Sequence, residues 1–382
     1  MATKKKVGIL LSKKDLKRRY PDSGLASEIF LPGDKTLRLP CEILAINHHL
    51  GGGIKYSSII ELIGEESTGK TLLAMNFVKV AQSLGGIGLW DDAEATFDPA
   101  WAKKHGVRLD RLELLPYENE VELVSDWIAD MCIYWRNELQ NNEPIVLVVD
   151  SIAVLEAGAA LDTAEMDTKA EMGRRSFKMG SLLRKRMKIF AKYGICVIFI
   201  NQIRKKVGAS QFEDPETTPM SQVMKYYASQ RVGLYRGKRI KKGDSPKGKW
   251  VGNNIYFRTK KNKTSIPRDN IKAQVYFRDD LGNFGYHKYY GFPEVLLERG
   301  ILKKTAGKVS YKGQFLAKYK EENPNALLKV IAEDDELRRK LIKRLGVTTP
   351  STLRKKLESL TKNLYPVKLK TKSDAKEESE TE

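Results

Sequence analysis

The 382-residue sequence predicts an α/β fold: a mostly parallel central sheet, a short N-terminal element and a small C-terminal α/β domain. Three observations predict it. Short, continuously apolar runs alternate with helical periodicity between residues 58 and 200, and strands apolar on both faces need cover on both faces. A glycine-rich loop joins the first of these strands to the first of these helices. Beyond Val232 the pattern changes to shorter alternating segments, as antiparallel edge strands require.

The elements follow in order. Residues 1–35 form a basic helical element closed by a turn at Pro21–Gly24. Ser58–Ile63 is a β-branched strand, Gly69–Leu84 a helix and Gly86–Trp90 a second strand. Val121–Leu139 is a long helix, Pro144–Val149 an apolar strand ending in Asp150-Ser151, Met172–Tyr193 a helix and Ile195–Ile200 another apolar strand. Val232–Tyr235, Asn254–Arg258 and Ala273–Arg278 supply the antiparallel edge. The core therefore spans 36–290, small helical stretches with basic faces give a C-terminal domain over 291–372, and 373–382 reads as an acidic disordered tail. No internal repeat is visible.

The formal net charge of +20 favours a polyanionic partner, nucleic acid or an anionic membrane surface, without choosing between them. The cations gather at Lys4–Arg19, Arg174–Lys188, Arg236–Lys249, Lys303–Lys320 and Arg338–Lys372. No run approaches the roughly 20 apolar residues of a membrane helix, and the basic N-terminus lacks a signal-peptide core. A cytoplasmic protein without a membrane partner is expected. Cys41, Cys132 and Cys196 lie far apart without metal-ligand spacing, so inert core thiols are expected.

The strongest motif is Gly64-Glu65-Glu66-Ser67-Thr68-Gly69-Lys70-Thr71, a full G-x-x-x-x-G-K-[ST] loop between strand and helix. Glycines let the backbone wrap phosphates, and the helix N-terminus adds a positive dipole. Lys70 would neutralise β- and γ-phosphates, and the Thr71 hydroxyl would reach Mg²⁺. Asp150, at the end of a buried strand, suits Mg²⁺ coordination; a turn-capping role is the alternative. Asp91-Asp92-Ala93-Glu94 follows another strand, where a carboxylate could orient attacking water, although an acidic loop is more often just solvated. Asn201-Gln202 ends a third strand, where an amide could sense a γ-phosphate or merely begin a turn.

The runs IIELIGEESTGKT, DDAEATFDPAW, PIVLVVDSIA, FINQIR, FEDPETTPMSQVMKYYAS and AGKVSYKG occur in the order and spacing of the RecA family, which this sequence resembles from about Leu37 to Gly313. The resemblance implies a RecA-type P-loop ATPase core and an N-terminal element that packs on the next subunit. It implies ATP and Mg²⁺ as cofactors and DNA-stimulated ATP hydrolysis. It further implies a homo-oligomeric helical filament on single-stranded DNA, pairing with double-stranded DNA, and strand exchange in recombination and repair. By position, Glu94 matches the family's water-activating glutamate, Asp150 its Walker B aspartate and Gln202 the glutamine coupling γ-phosphate to DNA. Trp101 falls where an aromatic residue meets adenine. Lys261 and Lys263 match a Lys-Asn-Lys that reaches the neighbouring subunit's γ-phosphate; read alone, they are a solvated basic turn. Mediator or single-strand-binding proteins are candidate partners, and nucleoid or viral DNA the expected location.

Two stretches are expected to contact DNA. In the first, Met172, Met179, Leu183, Met187 and Phe190 share one helix face, opposite Arg174, Lys178, Lys185 and Lys188. A basic face is usually only solvated; the resemblance assigns DNA contacts to Met172, Gly173, Arg174, Arg175 and Arg184. The second stretch, 204–226, offers Arg204, Lys205, Lys206, Phe212 and Tyr226, cations for phosphates and rings for bases. The sequence departs from the family at Pro219-Met220-Ser221, where two glycines are usual, and at Phe177, where arginine is common. A phage-encoded or otherwise divergent member fits these departures. The rivals are a hexameric helicase on the same core, for which 1–35 leaves little room, and a hydrolysis-poor paralogue, which the intact Lys70, Glu94, Asp150 and Gln202 oppose.

Overall fold

The computed structural model describes Lys14, Arg18 and residues 37–139, 142–156, 169–205, 216–242, 248–268, 270–277, 284–320 and 324–360. Phe212, Lys206, Arg278 and the acidic tail lie outside the described residues, as do the side chains of Met172 and Lys205. The chain divides into two compact units, Met1–Leu37 and Arg38–Glu382. In the first, Lys14 and Arg18 are helical and exposed.

The second unit begins with β1 (Arg38–Leu39), α1 (Leu44–His49) and β2 (Ile54–Lys55), β1 and β2 pairing antiparallel. The alternating stretch follows: β3 (Ser58–Gly64), α2 (Lys70–Ser83), β4 (Ile87–Asp92), α3 (Pro99–Lys104), β5 (Leu112–Pro116), α4 (Val121–Glu138), β6 (Ile145–Val149), α5 (Lys169–Tyr193) and β7 (Ile195–Gln202). A short pair, β8 (Arg204–Lys205) and β9 (Glu216–Thr217), precedes α6 (Ser221–Tyr227). Then come β10 (Gln230–Lys241), β11 (Trp250–Asn262), β12 (Ile271–Tyr276) and β13 (Gly285–Tyr286). The central sheet runs β13-β12-β11-β10-β3-β7-β6-β4-β5. From β10 to β5 every pairing is parallel; from β13 to β10 every pairing is antiparallel. The sheet is therefore mixed but mostly parallel, in agreement with the expected class.

Alternation along the strands fixes the two faces. Ile87 and Leu89 of β4, with Ile145, Leu147 and Val149 of β6, pack under α4, α5 and α6, where Met179, Leu183 and Phe190 are buried. On the other face Gly88 lies so close to α2 that a Cβ there would sit 2.6 Å from Val78 Cγ1. The expected apolar face of α5 is the one buried, and the helix begins three residues earlier than its periodicity marks. The β10–β11 hairpin is longer than its alternating segments suggest, because its outer halves are exposed and polar. Cys41, Cys132 and Cys196 are free and buried; burial pushes the Cys41 and Cys132 thiols up to about 12 and raises Cys196 further, which keeps them protonated.

Beyond Gly291 the chain forms α7 (Phe292–Glu298), an antiparallel sheet of β14 (Lys303–Thr305), β15 (Lys308–Tyr311) and β16 (Gln314–Lys318), then α8 (Asn325–Glu333), α9 (Asp335–Leu345) and α10 (Pro350–Ser359). Phe292, Leu296, Val309, Tyr319, Ile331 and Leu341 share a cluster with Leu44 of α1. Only helices are legible here from periodicity, because β14 is exposed throughout and β15 buries only Val309 outright.

A buried ion pair ties the centre of the sheet together. Glu61 of β3 is fully buried and accepts a hydrogen bond from Arg231 Nε of β10, its register partner. The other carboxylate oxygen accepts from Asn201 Nδ2 of β7 at 2.7 Å, and the same amide nitrogen donates to Pro219 O at 2.9 Å. Removing one member of such a pair strands a charge in the interior. Arg231→Met is therefore expected to lower unfolding free energy by about 3–5 kcal/mol in urea titrations. Adding Glu61→Gln, which keeps the acceptor for Asn201 and removes the charge, should return most of that loss. A cost below about 1 kcal/mol for Arg231→Met alone would show that the pair is not the tie we describe.

Candidate nucleotide site

The loop Gly64–Thr71 leaves the end of β3 and opens α2. At Gly64 a Cβ would lie 2.6 Å from Leu234 O and 2.6 Å from Thr68 Oγ1. Gly69 is left-handed at φ 88°, the N-cap of α2, and Tyr286 Oη donates to its carbonyl at 3.2 Å. These positions explain why glycine is needed there. Lys70 is 8% exposed and folded over the loop, its Nζ donating to Gly64 O at 3.0 Å and Glu65 O at 2.8 Å. Burial holds its pKa below the usual lysine range, against the opposing pull of Asp150 and Glu94. Phosphate oxygens are better acceptors for this ammonium than the two carbonyls it now uses. Thr68 Oγ1 donates to Glu65 O at 2.9 Å, and Arg236 of β10 donates to Glu66 O at 2.6 Å, pinning the loop from both sides.

In-register parallel pairing gathers the remaining acids at the same edge. Gly64 pairs with Gln202, Val149 with Phe199, and Asp91 with Val149, so the residues after each strand share one rim. Asp150 Oδ2 accepts from Thr71 Oγ1 at 2.8 Å. Burial pushes the Asp150 carboxyl up to about 7, with Glu94 and Asp92 adding to it, while Thr71 and Lys70 oppose. Glu94 Oε1 accepts from Ser151 Oγ and, at 3.0 Å, from Gln202 Nε2. Lys70, Thr71, Glu94, Asp150 and Gln202 thus form one connected constellation.

The acidic run 91–94 does three different things. Asp92 accepts from the backbone of Thr96 and Phe97, each at 3.0 Å, and so builds the turn that presents Glu94. Asp91 points to the opposite face, is fully buried, and neither oxygen has a hydrogen-bond partner among the described residues. Burial, then the charges of Asp92, Glu118 and Asp150, push it up to about 8. Read as a sequence, the run is one acidic loop; the period of two sends adjacent carboxylates to opposite faces.

The donor set fits a nucleotide triphosphate with Mg²⁺. A threonine hydroxyl and a buried carboxylate 2.8 Å apart are hard oxygen ligands. A divalent cation would also restore the charge that burial suppresses on Asp150. Beside the loop lies a cavity of about 680 Å³, bordered by Gly69, Lys70, Trp101, Trp250, Tyr276 and Phe277. Small-molecule sites span about 300–1,000 Å³. Trp101, 39% exposed on α3, stands edge-on to His105 and Phe284 at 4.6 and 5.2 Å. Trp250 packs edge-on to Phe277 at 4.9 Å. Ser151, Tyr286, Arg236, Trp250 and Phe277 are not singled out by sequence reasoning. Only Ser151, adjacent to the strand-terminal acid, carried a local signal.

Lys261 and Lys263 lie elsewhere. Lys261 pairs through Arg231 with Glu61, level with the middle of β3, and Lys263 N donates to Ser229 O beside Ile59, nearer the start of that strand. At about 3.3 Å per residue Lys261 is about 10 Å along the strand direction from the first residue of its own phosphate loop, and Lys263 is farther. On α5, Gly173, Arg174 and Arg184 are exposed, whereas Arg175 is within 3.7 Å of Glu156 and Lys178 is paired with Glu122. Arg204 is exposed on β8. The site departure at Pro219-Met220-Ser221 has a conformational counterpart: Met220 is left-handed at φ 54°, with its side chain buried in the core under α5 and α6.

The RecA N-terminal domain model matches residues 35–282. The "Protein RecA" of Tropheryma whipplei is 33% identical over 309 residues, 81% of this chain and 66% of its own length. That of Geobacter metallireducens is 32% identical over 290 residues, 76% of this chain and 80% of its own. That of Mycolicibacterium vanbaalenii is 31% identical over 310 residues, 81% of this chain and 83% of its own. The chain belongs to the RecA family, as a divergent member.

Proposed function

We propose that the protein is an ATP-dependent DNA recombinase that coats single-stranded DNA as a helical filament and promotes homologous pairing and strand exchange. The observation that carries this reading is the 3.0 Å hydrogen bond from Gln202 Nε2 to Glu94 Oε1. It joins the carboxylate best placed to act on water to the last residue of β7, two residues before the stretch expected to meet DNA. A nucleotide site and a DNA-contact segment then share one side chain.

In this reading Lys70 binds the β- and γ-phosphates, and Trp101 faces the adenine. Mg²⁺, held by Thr71 and Asp150, supplies neutralisation of phosphate charge. Glu94 accepts a proton from the water that attacks the γ-phosphorus, while ADP leaves. Gln202 exchanges its bond to Glu94 for one to the γ-phosphate, and the β8–β9 segment follows β7. Loss of the γ-phosphate on hydrolysis reverses that exchange, so ATP favours the DNA-bound state and ADP favours release. Arg174, Arg184 and Arg204, exposed and without acidic partners among the described residues, contact backbone phosphates. Arg175 joins them on exchanging Glu156 for phosphate, with Met172, Gly173 and Phe212 beside the strand. Lys261 and Lys263, remote from their own phosphate loop, complete the site of the next subunit, against which residues 1–35 pack. Residues 291–372 form the C-terminal domain. The protein acts in the cytoplasm on nucleoid or viral DNA, with mediator or single-strand-binding proteins as partners.

Lys70→Ala is expected to abolish ATP-dependent filaments in electron microscopy. Glu94→Gln should bind ATP and keep its filaments while hydrolysis falls by roughly 10²–10⁴-fold. Near-normal turnover in Glu94→Gln would remove the residue from that role.

Replacing Arg174 and Arg184 with Ala should weaken binding to all single-stranded sequences alike. The slope of log affinity against log salt should fall by about 0.7 per lost contact. Unchanged affinity and slope would return both residues to a solvated helix face.

The interface supplies a sharper test. The Lys261→Ala/Lys263→Ala double variant should bind nucleotide but lose DNA-stimulated hydrolysis. Mixed with Glu94→Gln, it should regain part of that hydrolysis, because junctions of one orientation pair an intact Glu94 with intact lysines. Mixed filaments that restore nothing would place the lysines within their own subunit's function.

A further inference from the structure

A second cavity lies toward the opposite end of the central strands from the phosphate loop. This cavity, of about 590 Å³, lies among the segment after α1, the 265–268 stretch after β11, the end of α7 and the end of α9. Arg268, Arg299, Arg344 and His48 line it, with Gly51 and Gly346. Lys263 lies toward the start of β3, and the chain continues from it to Arg268. The site therefore lies away from Gly64–Thr71.

Three features mark it as built rather than incidental. Arg268 Nε and Nη1 are both buried and have no hydrogen-bond acceptor among the described residues, a state that costs free energy unless a ligand supplies one. No acid among the described residues forms an ion pair with Arg268, Arg299 or Arg344, although Glu298 is close enough to favour the charged Arg268. Arg299 in turn works against the charge on Arg268. His48 is 6% exposed and pushed down to about 4 by burial first, then by Arg268 and Arg299. The imidazole is thus neutral and able to donate or accept. The wall is also sterically closed: at Gly51, left-handed at φ +75°, a Cβ would meet the Ser265 side chain at 2.3 Å.

The geometry points to a phosphate-binding site formed by Arg268, Arg299 and Arg344. Planar guanidinium forks recognise phosphate oxygens in pairs, and a phosphate group offers enough acceptors for several of them at once. The phosphate comes either from a nucleic-acid backbone or from a free phosphate anion. The inference does not rest on the proposed recombinase activity.

The test uses full-length protein carrying Lys70→Ala, so that the ordinary phosphate loop is disabled, and inorganic pyrophosphate as the probe. Calorimetry should show saturable binding near one per chain, and the thermal midpoint should rise with pyrophosphate. Adding Arg268→Ala with Arg299→Ala should weaken that binding at least tenfold and abolish the thermal shift. Arg268→Lys, which keeps charge but loses the fork, should fall between. Lys329→Ala, an exposed charge on α8 away from the cavity, is expected to leave it unchanged. Competition by a single-stranded oligonucleotide assigns the site to backbone phosphate; its absence assigns the site to a free anion. No saturable binding, or equal weakening by Lys329→Ala, would overturn the proposal. A failure of the recombinase reading would show separately, as absent Lys70-dependent ATP binding in the unmodified protein.

Discussion

The site depends on one constraint, the in-register parallel pairing of β3, β7, β6 and β4. Parallel strands carry their C-terminal ends to one rim, so residues far apart in sequence become neighbours without any loop reaching across. Gly64 beside Gln202 and Asp91 beside Val149 are register facts. The contacts Thr71–Asp150 and Gln202–Glu94 follow from them. A slip of one residue in β7 would turn Gln202 to the other face and break the second contact. The Glu61–Arg231–Asn201 network opposes that slip, because a shifted strand would leave Glu61 buried without its partners.

The same network shows how a change at the phosphates could travel. Asn201 and Gln202 are adjacent on β7 and alternate in direction, one amide turned to the buried Glu61 and the other to Glu94. Asn201 also donates to Pro219 O, just before α6. Rotation of Gln202 is a local side-chain event, yet it occurs beside a residue that holds the far end of the 204–219 segment. Among its described residues that segment is held by the β8–β9 pair, which begins two residues after Gln202, and by the bond from Asn201 to Pro219 O. Met220 pays a steric cost to occupy a left-handed region that glycine would enter freely, and its buried side chain is what holds it there.

Much of this was legible in the sequence, and the reasons differ residue by residue. Lys70 and Thr71 belong to a contiguous motif whose strand–loop–helix context is itself periodic, so eight residues suffice. Asp150 was legible because an acid ending an apolar strand has few other purposes. Glu94 was harder: composition alone cannot divide Asp91, Asp92 and Glu94, and only the fold shows Asp92 building a turn and Asp91 buried without a hydrogen-bond partner among the described residues. Trp250 and Phe277 were not legible, because an aromatic residue in an alternating strand reads first as packing. The C-terminal domain is expected to be α/β, but the positions of β14–β16 are not legible for a related reason: three short, mostly exposed strands leave no periodic apolar signal.

The net charge illustrates why composition overstates the reach of a basic surface. Several arginines are committed to backbone carbonyls inside the fold. Arg111 donates to Gly85 O and Gly86 O, and Arg136 to Tyr193 O and Glu143 O. Arg338 satisfies Ile331 O and Ala332 O in the last turn of α8, and Arg354 reaches Ser83 O at the end of α2. Helix C-termini present unpaired carbonyls and a negative dipole end, so these cations complete the fold and cannot also serve a polyanion. Others on α4 and α5, such as Arg186 with Asp126, are paired with acids. Among the arginines that remain free to meet phosphate are two sets at different edges of the fold: Arg174, Arg184 and Arg204 on one side, and Arg268, Arg299 and Arg344 around the second cavity. Charge at the first edge is exposed and screened by salt, whereas the buried nitrogens of Arg268 are screened far less. The two sets therefore differ in kind: one suits a long, exchangeable strand, the other a single anion held in place.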